Sequence, residues 1–468
     1  MYNCGMKVLF AVWELSPFIK VGGLGDVART LPKALHDLGV DIRVVIPYYR
    51  AVRTGGQRRV FVTKLIVTYG GRRVQIKVWK IKFLDADIPV YLLENRKYLS
   101  VPGKETWGVY DLAIAEMVKW GVDDWKPEIV HSNDNHCGFI PLICKEWKLP
   151  VKHLFTIHAL LHQRRVPERQ VEKMGLDLKK CHVMRWETKN KRVVSLLEGV
   201  VYADLVNTVS QTYAREILTE EYGAGLDDIL RTQHPGKIFG ILNGIDYNFN
   251  DPRINKLAKN YDAENVTEGK KINKSYLQKK LGFKQDAKMP LIGFVGRLDQ
   301  HQKGIDLIHK MLLRIDLKKW QFVILGEGQV EWEEKFKLLA SFYPKNIAYL
   351  DKYTDELAIR LYAGTDLVLI PSRFEPCCLV QMIAMKYGAI PVARATGGLL
   401  DTIKDEMNGF LFEKASSHEL EKTLKKANDM RVKYPGKFTE MVKEAMNRDF
   451  SWKKSAQQYL EVYKKLVQ

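Results

Sequence analysis

The chain has 468 residues, of which 46% are hydrophobic, and its 74 Lys and Arg residues exceed its 55 Asp and Glu residues to give a net charge of +19. This composition excludes an intrinsically disordered or collagen-like chain, and the length predicts two or three domains. The sequence has no apolar run of the roughly 20 residues that a membrane span needs, and its six cysteines include no Cys-x-x-Cys pair. We therefore expect a cytoplasmic protein without a signal peptide, a membrane segment or a disulfide framework.

The first half of the chain alternates between short, apolar, β-branched runs and helical patterns. The predicted strands lie at 7–13, 41–47, 89–94, 129–134, 152–158 and 205–210. After the first strand, apolar residues recur every three or four positions from Leu24 to Leu38, and Gly39 closes this predicted helix. Apolar strands that alternate with helices are typical of a parallel sheet covered on both faces.

The alternation stops between His234 and about residue 280, in a stretch rich in Asn, Pro, Gly and Lys, and we place a domain boundary near Asn243. Further apolar strands are predicted at 291–295, 322–325, 367–370 and 390–393. The second half is therefore predicted to be another α/β unit. The last helix presents one apolar face, which must pack against another element: Trp452, Ala456, Tyr459, Tyr463 and Leu466.

Ligands of open α/β sheets bind beyond the carboxyl ends of the strands, so the loops that follow the strands are the candidate sites. Gly22 and Gly23 follow the first strand together with Lys20, and their backbone N–H groups could bind an anion, although a plain turn with a surface lysine fits as well. Arg297 and Lys303 follow the first strand of the second half and could hold a diphosphate, or could simply be solvated.

Two later loops and two neighbouring strand ends complete the set of candidate sites. Glu375 lies between Phe and Pro after one strand, and Thr396, Gly397 and Gly398 follow another; two tight turns around buried cysteines are the alternative. His158 and Asp134 end neighbouring strands. The His and Asp spacing matches no metal motif, so we expect no metal site and interpret His158 as a structural or sugar-binding residue.

Four motifs, in order, resemble the bacterial glycogen synthase and plant starch synthase family over about residues 6–465. They are Glu14-x-x-Pro17-x-x-Lys20-x-Gly22-Gly23-Leu24-Gly25-Asp26-Val27, Gly296-Arg297-Leu298 with Gln302-Lys303-Gly304, Pro371-Ser372-Arg373-Phe374-Glu375-Pro376-Cys377, and Thr396-Gly397-Gly398-Leu399-x-Asp401. The resemblance implies a GT-B fold of two Rossmann-like domains around a cleft. The first domain would span 1–242, completed by helix 453–468, and the second 243–452.

The resemblance also implies an activity. The family transfers glucose from ADP-glucose or UDP-glucose to the non-reducing end of an α-1,4-glucan, with retention of configuration and with neither a metal nor another cofactor. The implied catalytic residues are Glu375, His158, Arg297 and Lys303. The implied donor site consists of Lys20, Gly22, Gly23, Arg297, Lys303, Glu375, Cys377, Thr396, Gly397 and Gly398. The implied acceptor and sugar contacts are Asp26, Asp134 and Asn243.

Some positions depart from the family pattern. Ala159 replaces the usual Asn after the strand-end His, Asn135 replaces a Trp, and Cys378 replaces a Gly. Ile383 stands where many related enzymes carry a second Glu, which favours the synthase branch. Because Ala159 and Asn135 lie on the sugar and acceptor side, a related glycosyltransferase with a small-sugar or lipid-linked acceptor is the alternative function.

Two other classes of function are disfavoured. A non-catalytic glucan-binding protein would not be expected to keep the charged motif residues. Residues 50–84 contain ten Lys or Arg residues and no Asp or Glu, which raises a nucleic-acid role. However, Val74, Ile76 and Val78 alternate with polar residues as in a half-buried strand, so we expect neither a nucleic-acid nor a membrane partner, and the oligomeric state stays open.

Overall fold

The computed structural model describes residues 5–103, 105–182, 192–233 and 238–468. Cys4 and the predicted turn residues 234–237 lie outside the described residues. The chain divides into two units, one formed by Met1–Gly244 with Trp452–Gln468 and the other by Ile245–Ser451. This division lies next to Asn243, where we placed the domain boundary.

The first unit contains a nine-stranded sheet in the order β11-β10-β7-β6-β1-β2-β5-β4-β3. Only the pairs β3–β4 and β4–β5 are antiparallel, and a separate antiparallel pair is formed by β8 and β9. The strands are β1 (Lys7–Ala11), β2 (Asp41–Pro47), β3 (Val60–Tyr69), β4 (Arg72–Lys82), β5 (Pro89–Glu94), β6 (Ile129–Asn133), β7 (Lys152–Ile157), β8 (Arg165–Pro167), β9 (Arg192–Val194), β10 (Leu205–Thr208) and β11 (Ile238–Gly240).

The helices of the first unit are α1 (Gly23–Asp37), α2 (Thr106–Trp120), α3 (Ile140–Glu146), α4 (Glu168–Lys173), α5 (Ser195–Tyr202), α6 (Gln211–Glu216) and α7 (Asp227–Gln233). Several of them contact this sheet, including α1, α2, α5 and α6. Helix α1 confirms the predicted period, because Leu24, Val27, Leu31 and Leu35 are buried. Gly39 follows its end with φ +88°, a conformation that favours glycine.

The second unit contains a six-stranded parallel sheet in the order β14-β13-β12-β15-β16-β17. Its strands are β12 (Leu291–Val295), β13 (Gln321–Leu325), β14 (Ile347–Leu350), β15 (Leu367–Ile370), β16 (Ile390–Arg394) and β17 (Phe410–Phe412). Its helices are α8 (Val266–Lys280), α9 (Ile305–Leu312), α10 (Val330–Phe342), α11 (Asp355–Gly364), α12 (Val380–Lys386), α13 (Gly398–Thr402), α14 (Ser417–Lys433) and α15 (Pro435–Asn447).

The last helix, α16 (Trp452–Val467), returns to the first unit and contacts α1, β6 and β7. The Tyr463 hydroxyl lies 2.7 Å from Nδ1 of His131, whose Nε2 lies 2.6 Å from Oγ1 of Thr156. Thr156 donates to Oδ1 of Asn207, and Nδ2 of Asn207 donates to the Tyr459 hydroxyl at 3.0 Å. Burial lowers the pKa of His131 to about 3, so a neutral, fully bonded network joins the helix to the sheet.

The structure contains elements that the sequence patterns did not reveal, among them the short strands β8, β9, β11, β14 and β17. The stretch where the alternation stops contains the 15-residue helix α8, which buries polar groups such as Asn273 and Lys274 and therefore lacks a clear apolar stripe. The basic segment forms the β3–β4 hairpin, of which only part of β4 was predicted. In the described part of the chain, no helix is long and apolar enough to cross a membrane.

Candidate functional site

The carboxyl ends of β6 and β7 bring Asp134 and His158 together. Oδ1 of Asp134 accepts hydrogen bonds from the backbone N–H of His158 at 3.2 Å and of Ala159 at 3.5 Å. Asp134 itself has φ +62° and ψ −178°, a conformation that non-glycine residues rarely adopt. The two backbone donors and the strained turn therefore hold the carboxyl group at the edge of the sheet.

His158 is oriented by Asn133. The Asn133 side-chain amide donates from Nδ2 to two backbone carbonyls, so its Oδ1 must face Nε2 of His158, 2.9 Å away, as an acceptor. His158 therefore carries its proton on Nε2 and a lone pair on Nδ1. Because burial lowers its pKa to about 3, the ring is neutral at ordinary pH and Nδ1 can accept a hydrogen bond.

Asp134 is electrostatically unusual. Its side chain is 6% exposed, and burial raises the pKa of its carboxyl group to about 7, with a further contribution from the charge of Glu14. The two backbone donors oppose this shift only in part. The carboxyl group therefore changes protonation state near neutral pH.

Glu14 organises the Gly-rich loop that precedes α1. Its Oε2 accepts hydrogen bonds from the backbone N–H of Val21 at 2.5 Å and of Gly22 at 2.9 Å. Burial raises the pKa of the Glu14 carboxyl group, and these donors offset part of that effect. The Gly22 N–H, which was predicted to bind an anion, therefore donates its hydrogen bond to Glu14. Gly23 is exposed, and a Cβ added there would have no atom within 4 Å.

Three further predicted site residues lie in the first unit: Lys20, Asp26 and Asn243. Lys20 and Asp26, which the resemblance implied for the donor and the acceptor, form an ion pair at 2.9 Å on the partly exposed loop. Asn243 is 5% exposed, and its buried Oδ1 accepts no hydrogen bond from any residue that the structure describes. A buried acceptor without a donor is costly, so this oxygen is suited to a ligand hydroxyl.

In the second unit, Lys303 and the buried Glu375 form an ion pair that is largely shielded from solvent. The ammonium nitrogen lies 2.5 Å from Oε1 of Glu375, with the two side chains 18% and 3% exposed. Oε1 also accepts a hydrogen bond from Oγ of Ser372 at 2.7 Å. Burial alone would lower the pKa of Lys303, but the carboxylate outweighs that effect and the pKa is raised. The Lys303 ammonium group is therefore charged at ordinary pH.

Close backbone packing holds the loops around this pair. Gly304 has φ +63°, and an added Cβ would lie 2.2 Å from the Pro371 carbonyl oxygen. An added Cβ on Gly398 would lie 2.3 Å from the carbonyl oxygen of Cys377, and the Gly398 N–H donates to the carbonyl oxygen of Glu375 at 3.0 Å. The Gly398 amide is thus engaged inside the protein, and Gly398 positions the loop of Glu375.

The remaining predicted residues of this unit differ in exposure. Arg297 is exposed, and its guanidinium donates to Oε1 of Gln302 at 2.6 Å. Cys377, Thr396 and Gly397 are buried, and Gly397 has φ +47° ahead of α13. Among the side chains named here, Arg297 is therefore the cation best placed to meet a solvated anion.

A second ion pair supports the same loops. Arg373 donates to the two carboxylate oxygens of Asp306 at 2.7 and 2.9 Å, and also to the backbone carbonyl of Gln300. The bidentate contact joins the first turn of α9 to the loop after β15, and the contact with Gln300 joins the loop after β12 to the same loop. Within the described ranges, no group of three or more His, Cys, Asp or Glu side chains is placed to hold a metal ion.

Comparison with known proteins agrees with these features. The family model for the starch synthase catalytic domain matches residues 7–232, and the model for group 1 glycosyl transferases matches residues 277–445. A glycogen synthase from Geotalea daltonii is 39% identical, and one from Clostridium beijerinckii is 38% identical. The alignments cover 98% of both chains and 99% of both chains, respectively. The chain belongs to the glycogen and starch synthase family.

Solved structures extend this assignment to the fold. The catalytic domain of starch synthase IV from Arabidopsis thaliana, bound to ADP and acarbose, matches with a TM-score of 0.90 at 30% identity over 99% of both chains. A sucrose-phosphate synthase from Thermosynechococcus elongatus matches with a TM-score of 0.64 at 17% identity, which concerns the fold alone. The predicted GT-B fold and the predicted glycosyltransferase class are therefore confirmed.

Sequence reasoning found the family motifs but assigned no role to several residues that hold them. They are Glu14, Ser372 and Arg373, which lie within the motifs, and Asn133, which precedes Asp134; their contacts join residues from 3 to 67 positions apart. One signal was present for Glu14, because an acidic residue just after an apolar strand requires hydrogen-bond donors if it is buried. For the others, the sequence carried no comparable signal.

Proposed function

We propose that this member of the glycogen and starch synthase family transfers glucose from ADP-glucose to the non-reducing end of an α-1,4-glucan with retention of configuration. The observation that carries the proposal is the largely shielded Lys303–Glu375 pair beside the exposed Arg297 in the second unit. The Arabidopsis starch synthase, a structural match to the whole chain, was solved bound to ADP and acarbose, which supports an adenine nucleotide donor.

Arg297 and Lys303 would stabilise the departing nucleoside diphosphate. Negative charge develops on that group as the glycosidic bond to glucose breaks, and two fixed cations stabilise it most strongly at that moment. Their charges would do the work that a metal does in other transferases, so we propose that the reaction needs no metal and no other cofactor. Gly397, together with Thr396, Gly398 and Cys377, would line the donor, and Lys20, Gly22 and Gly23 would add contacts from the loop before α1.

Glu375 would contact hydroxyl groups of the transferred glucose. Lys303 and Ser372 both occupy its Oε1, which orients the carboxylate before the sugar arrives. A positioned carboxylate binds sugar hydroxyls without losing side-chain freedom, so its binding energy is available at the reacting centre.

The strand-end residues of the first unit would hold the reacting sugars. His158 offers a neutral Nδ1 as a hydrogen-bond acceptor, and Asp134, Asp26 and Asn243 offer oxygen acceptors for hydroxyls of the acceptor glucan. The leaving phosphate itself would take the proton of the attacking hydroxyl on the same face of the sugar. This step breaks the bond from glucose to phosphate and forms the new bond to the acceptor oxygen.

A donor-competition assay tests the proposal. The full chain is incubated with ADP-glucose or UDP-glucose, with and without glycogen, and release of the nucleoside diphosphate is measured together with the incorporation of glucose into glycogen. We expect glycogen-dependent release of ADP and a higher kcat/KM for ADP-glucose than for UDP-glucose. A higher kcat/KM for UDP-glucose would overturn the donor assignment alone.

A different acceptor is the second candidate, because Asn135 and Ala159 depart from the family pattern at the strand ends that carry Asp134 and His158. Asn135 is 4% exposed, and its carbonyl oxygen accepts a hydrogen bond from Oγ of Ser195, so this position offers no exposed aromatic surface to an acceptor. Release of nucleoside diphosphate that requires a small sugar or a lipid-linked sugar, and not glycogen, would favour this candidate.

A further inference from the structure

Strand β3 forms one edge of the nine-stranded sheet. It pairs with β4 alone, and residues 60–68, which we call the β3 edge, make no other backbone hydrogen bond among the residues that the structure describes. On one face of the strand Leu65, Val67 and Tyr69 are buried, and α2 contacts the strand. The other face and the outer row of backbone groups are open to an added strand.

The exposed face of this hairpin is cationic. Lys64 of β3 lies directly opposite Lys77 of β4, an arrangement that is unfavourable at a Cβ separation of roughly 5 Å. Glu94 lies across from Lys77 on the other side, but its Oε2 accepts the Nε1–H of Trp79 at 2.7 Å. In the described part of the chain, neither Lys64 nor Lys77 forms an ion pair, whereas Lys80 pairs with Asp123.

Apolar side chains lie beside these charges. Ile66, two positions beyond Lys64 on the same face, is 43% exposed, and Phe61 is 46% exposed. Phe61 packs edge-on against Trp79, and the guanidinium of Arg59 lies 5.0 Å from the ring centroid of Trp79. The face therefore combines cations with exposed apolar area, and an occupant should offer both negative charge and apolar groups.

A second copy of the chain does not fit this requirement. Pairing of β3 with β3 of another copy would add a second lysine-bearing strand to a face that already places two lysines opposite each other. Lysines on edge strands discourage this kind of self-association. The occupant must instead bring acidic side chains.

We propose that the β3 edge binds an extended acidic segment of a partner protein, which adds a tenth strand to the sheet. Backbone hydrogen bonds would supply affinity, and side chains on the exposed face would supply specificity. An added strand lies about 4.8 Å from β3, so its residue opposite Lys64 should be Asp or Glu. Two positions along, opposite Ile66, the segment should carry an apolar residue.

A peptide-binding experiment tests this proposal. The probe is a fluorescein-labelled peptide with the length of β3, 10 residues, in which the four-residue unit Glu-Thr-Val-Thr repeats, so that Glu and Val alternate along one face of the strand. It is titrated with the full chain and followed by fluorescence anisotropy. We expect saturable binding that weakens at least about tenfold in the Lys64→Glu variant, because the opposed charge becomes repulsive. Lys345→Glu, which changes an exposed lysine of the second unit, should bind as the wild type does.

Three further probes separate strand addition from general attraction between charges. A peptide of the same charge with a central Pro should bind much more weakly, because Pro cannot pair in a strand. The Glu-Thr-Val-Thr peptide with Lys in place of each Glu should not bind. Equal binding of the Pro peptide, or tighter binding of an oligothymidylate of the same net charge that also depends on Lys64, would overturn the proposal. Absence of saturable binding by the Glu and Val peptide would overturn it as well.

Discussion

The two units hold their candidate carboxylates in different ways. In the second unit, Glu375 pairs with an ammonium group, so burial leaves a matched pair of charges. In the first unit, Asp134 and Glu14 are equally buried but are held by backbone N–H groups, and the pKa of each carboxyl group is raised. Backbone donors orient a buried carboxylate, but here they do not compensate for its loss of water.

This difference predicts that the two sites respond differently to pH and to the removal of a charged partner. The Lys303–Glu375 pair should respond mainly to removal of one partner, because the raised pKa of Lys303 keeps its ammonium group charged across the working pH range. Asp134 should respond to pH, because its pKa of about 7 lies near neutrality. The variants below test this contrast.

The largest effect is expected for Glu375→Ala. The change leaves the Lys303 ammonium group largely buried without its carboxylate, which should lower the free energy of unfolding by about 3–5 kcal/mol in urea denaturation. Turnover should fall at least about tenfold, equivalent to ~1.4 kcal/mol of transition-state stabilisation. Lys303→Ala should lower turnover to a similar extent, and unchanged turnover in both variants would remove these residues from the proposed site.

A double variant distinguishes catalysis from folding. Glu375→Gln with Lys303→Met removes both charges at similar volume, so stability should recover relative to Glu375→Ala while turnover stays low. If turnover recovered together with stability, the ion pair would serve the fold alone.

The pH dependence of the free energy of unfolding should reveal the raised pKa of the Asp134 carboxyl group. Its folded-state pKa of about 7 lies above the ordinary value of 3.8, so the folded state binds more protons between these two pH values. The free energy of unfolding should therefore lose up to roughly 4 kcal/mol of the Asp134 contribution as pH rises from 4 to 7.

Asp134→Asn is the control, since it cannot titrate and keeps the other buried groups, such as His158. The difference in unfolding free energy between the wild type and this variant, measured by urea denaturation at several pH values, isolates the carboxyl group. Parallel curves for the two proteins would show that Asp134 titrates normally.

Glu14→Ala should have an intermediate effect on the Gly-rich loop. The change leaves the Val21 and Gly22 N–H groups without their acceptor, at a cost of about 1–3 kcal/mol if they stay shielded from water. Hydrogen exchange of these two amides should accelerate, and Glu14→Gln, which keeps one acceptor oxygen, should show a smaller change. Exchange rates that match the wild type in Glu14→Ala would mean that the loop does not depend on this carboxylate.

The smallest effect is expected at Cys378, which has φ +60°, a conformation that favours glycine. Cys378→Ala and Cys378→Gly both remove the thiol, but only Gly relieves the left-handed backbone. We expect the Gly variant to be more stable than the Ala variant by about 1 kcal/mol, as measured by thermal and urea unfolding. Equal stability of the pair would show that this turn stores no strain.

Much of the architecture was predictable because it is encoded locally. The apolar period of α1, its closing Gly39 and the buried face of α16 could be predicted from spacing alone. Helix α8 could not, because it buries polar side chains that hydrogen-bond to distant backbone groups, and β3 lacked a continuous apolar run. Periodicity in a sequence indicates a helix or strand only when the buried side chains are apolar and the exposed side chains are polar.

The candidate site was predictable as a set of residues but not as a set of contacts. The motifs placed Lys303 and Glu375 after different strands, and 72 positions separate them. Nothing local indicates that they pair, or that Gly22 and Gly398 donate their amides inside the protein. The contact between Lys303 and Glu375 depends on strand order, and that of Gly22 depends on the conformation of the loop before α1; a single sequence specifies neither.

The amino-acid sequence by itself determined the chemistry that is available: cations and glycines after apolar strands, a histidine at a strand end, a basic segment from 50 to 84, and motifs specific enough to indicate the family. Tertiary structure alone decided which carboxylate meets a cation, which is held only by backbone N–H groups, and which lysines of the basic segment lie opposite each other. The physical reason is that the charge state of a group depends on its burial and on its neighbours in space, and both arise only when distant strands come together.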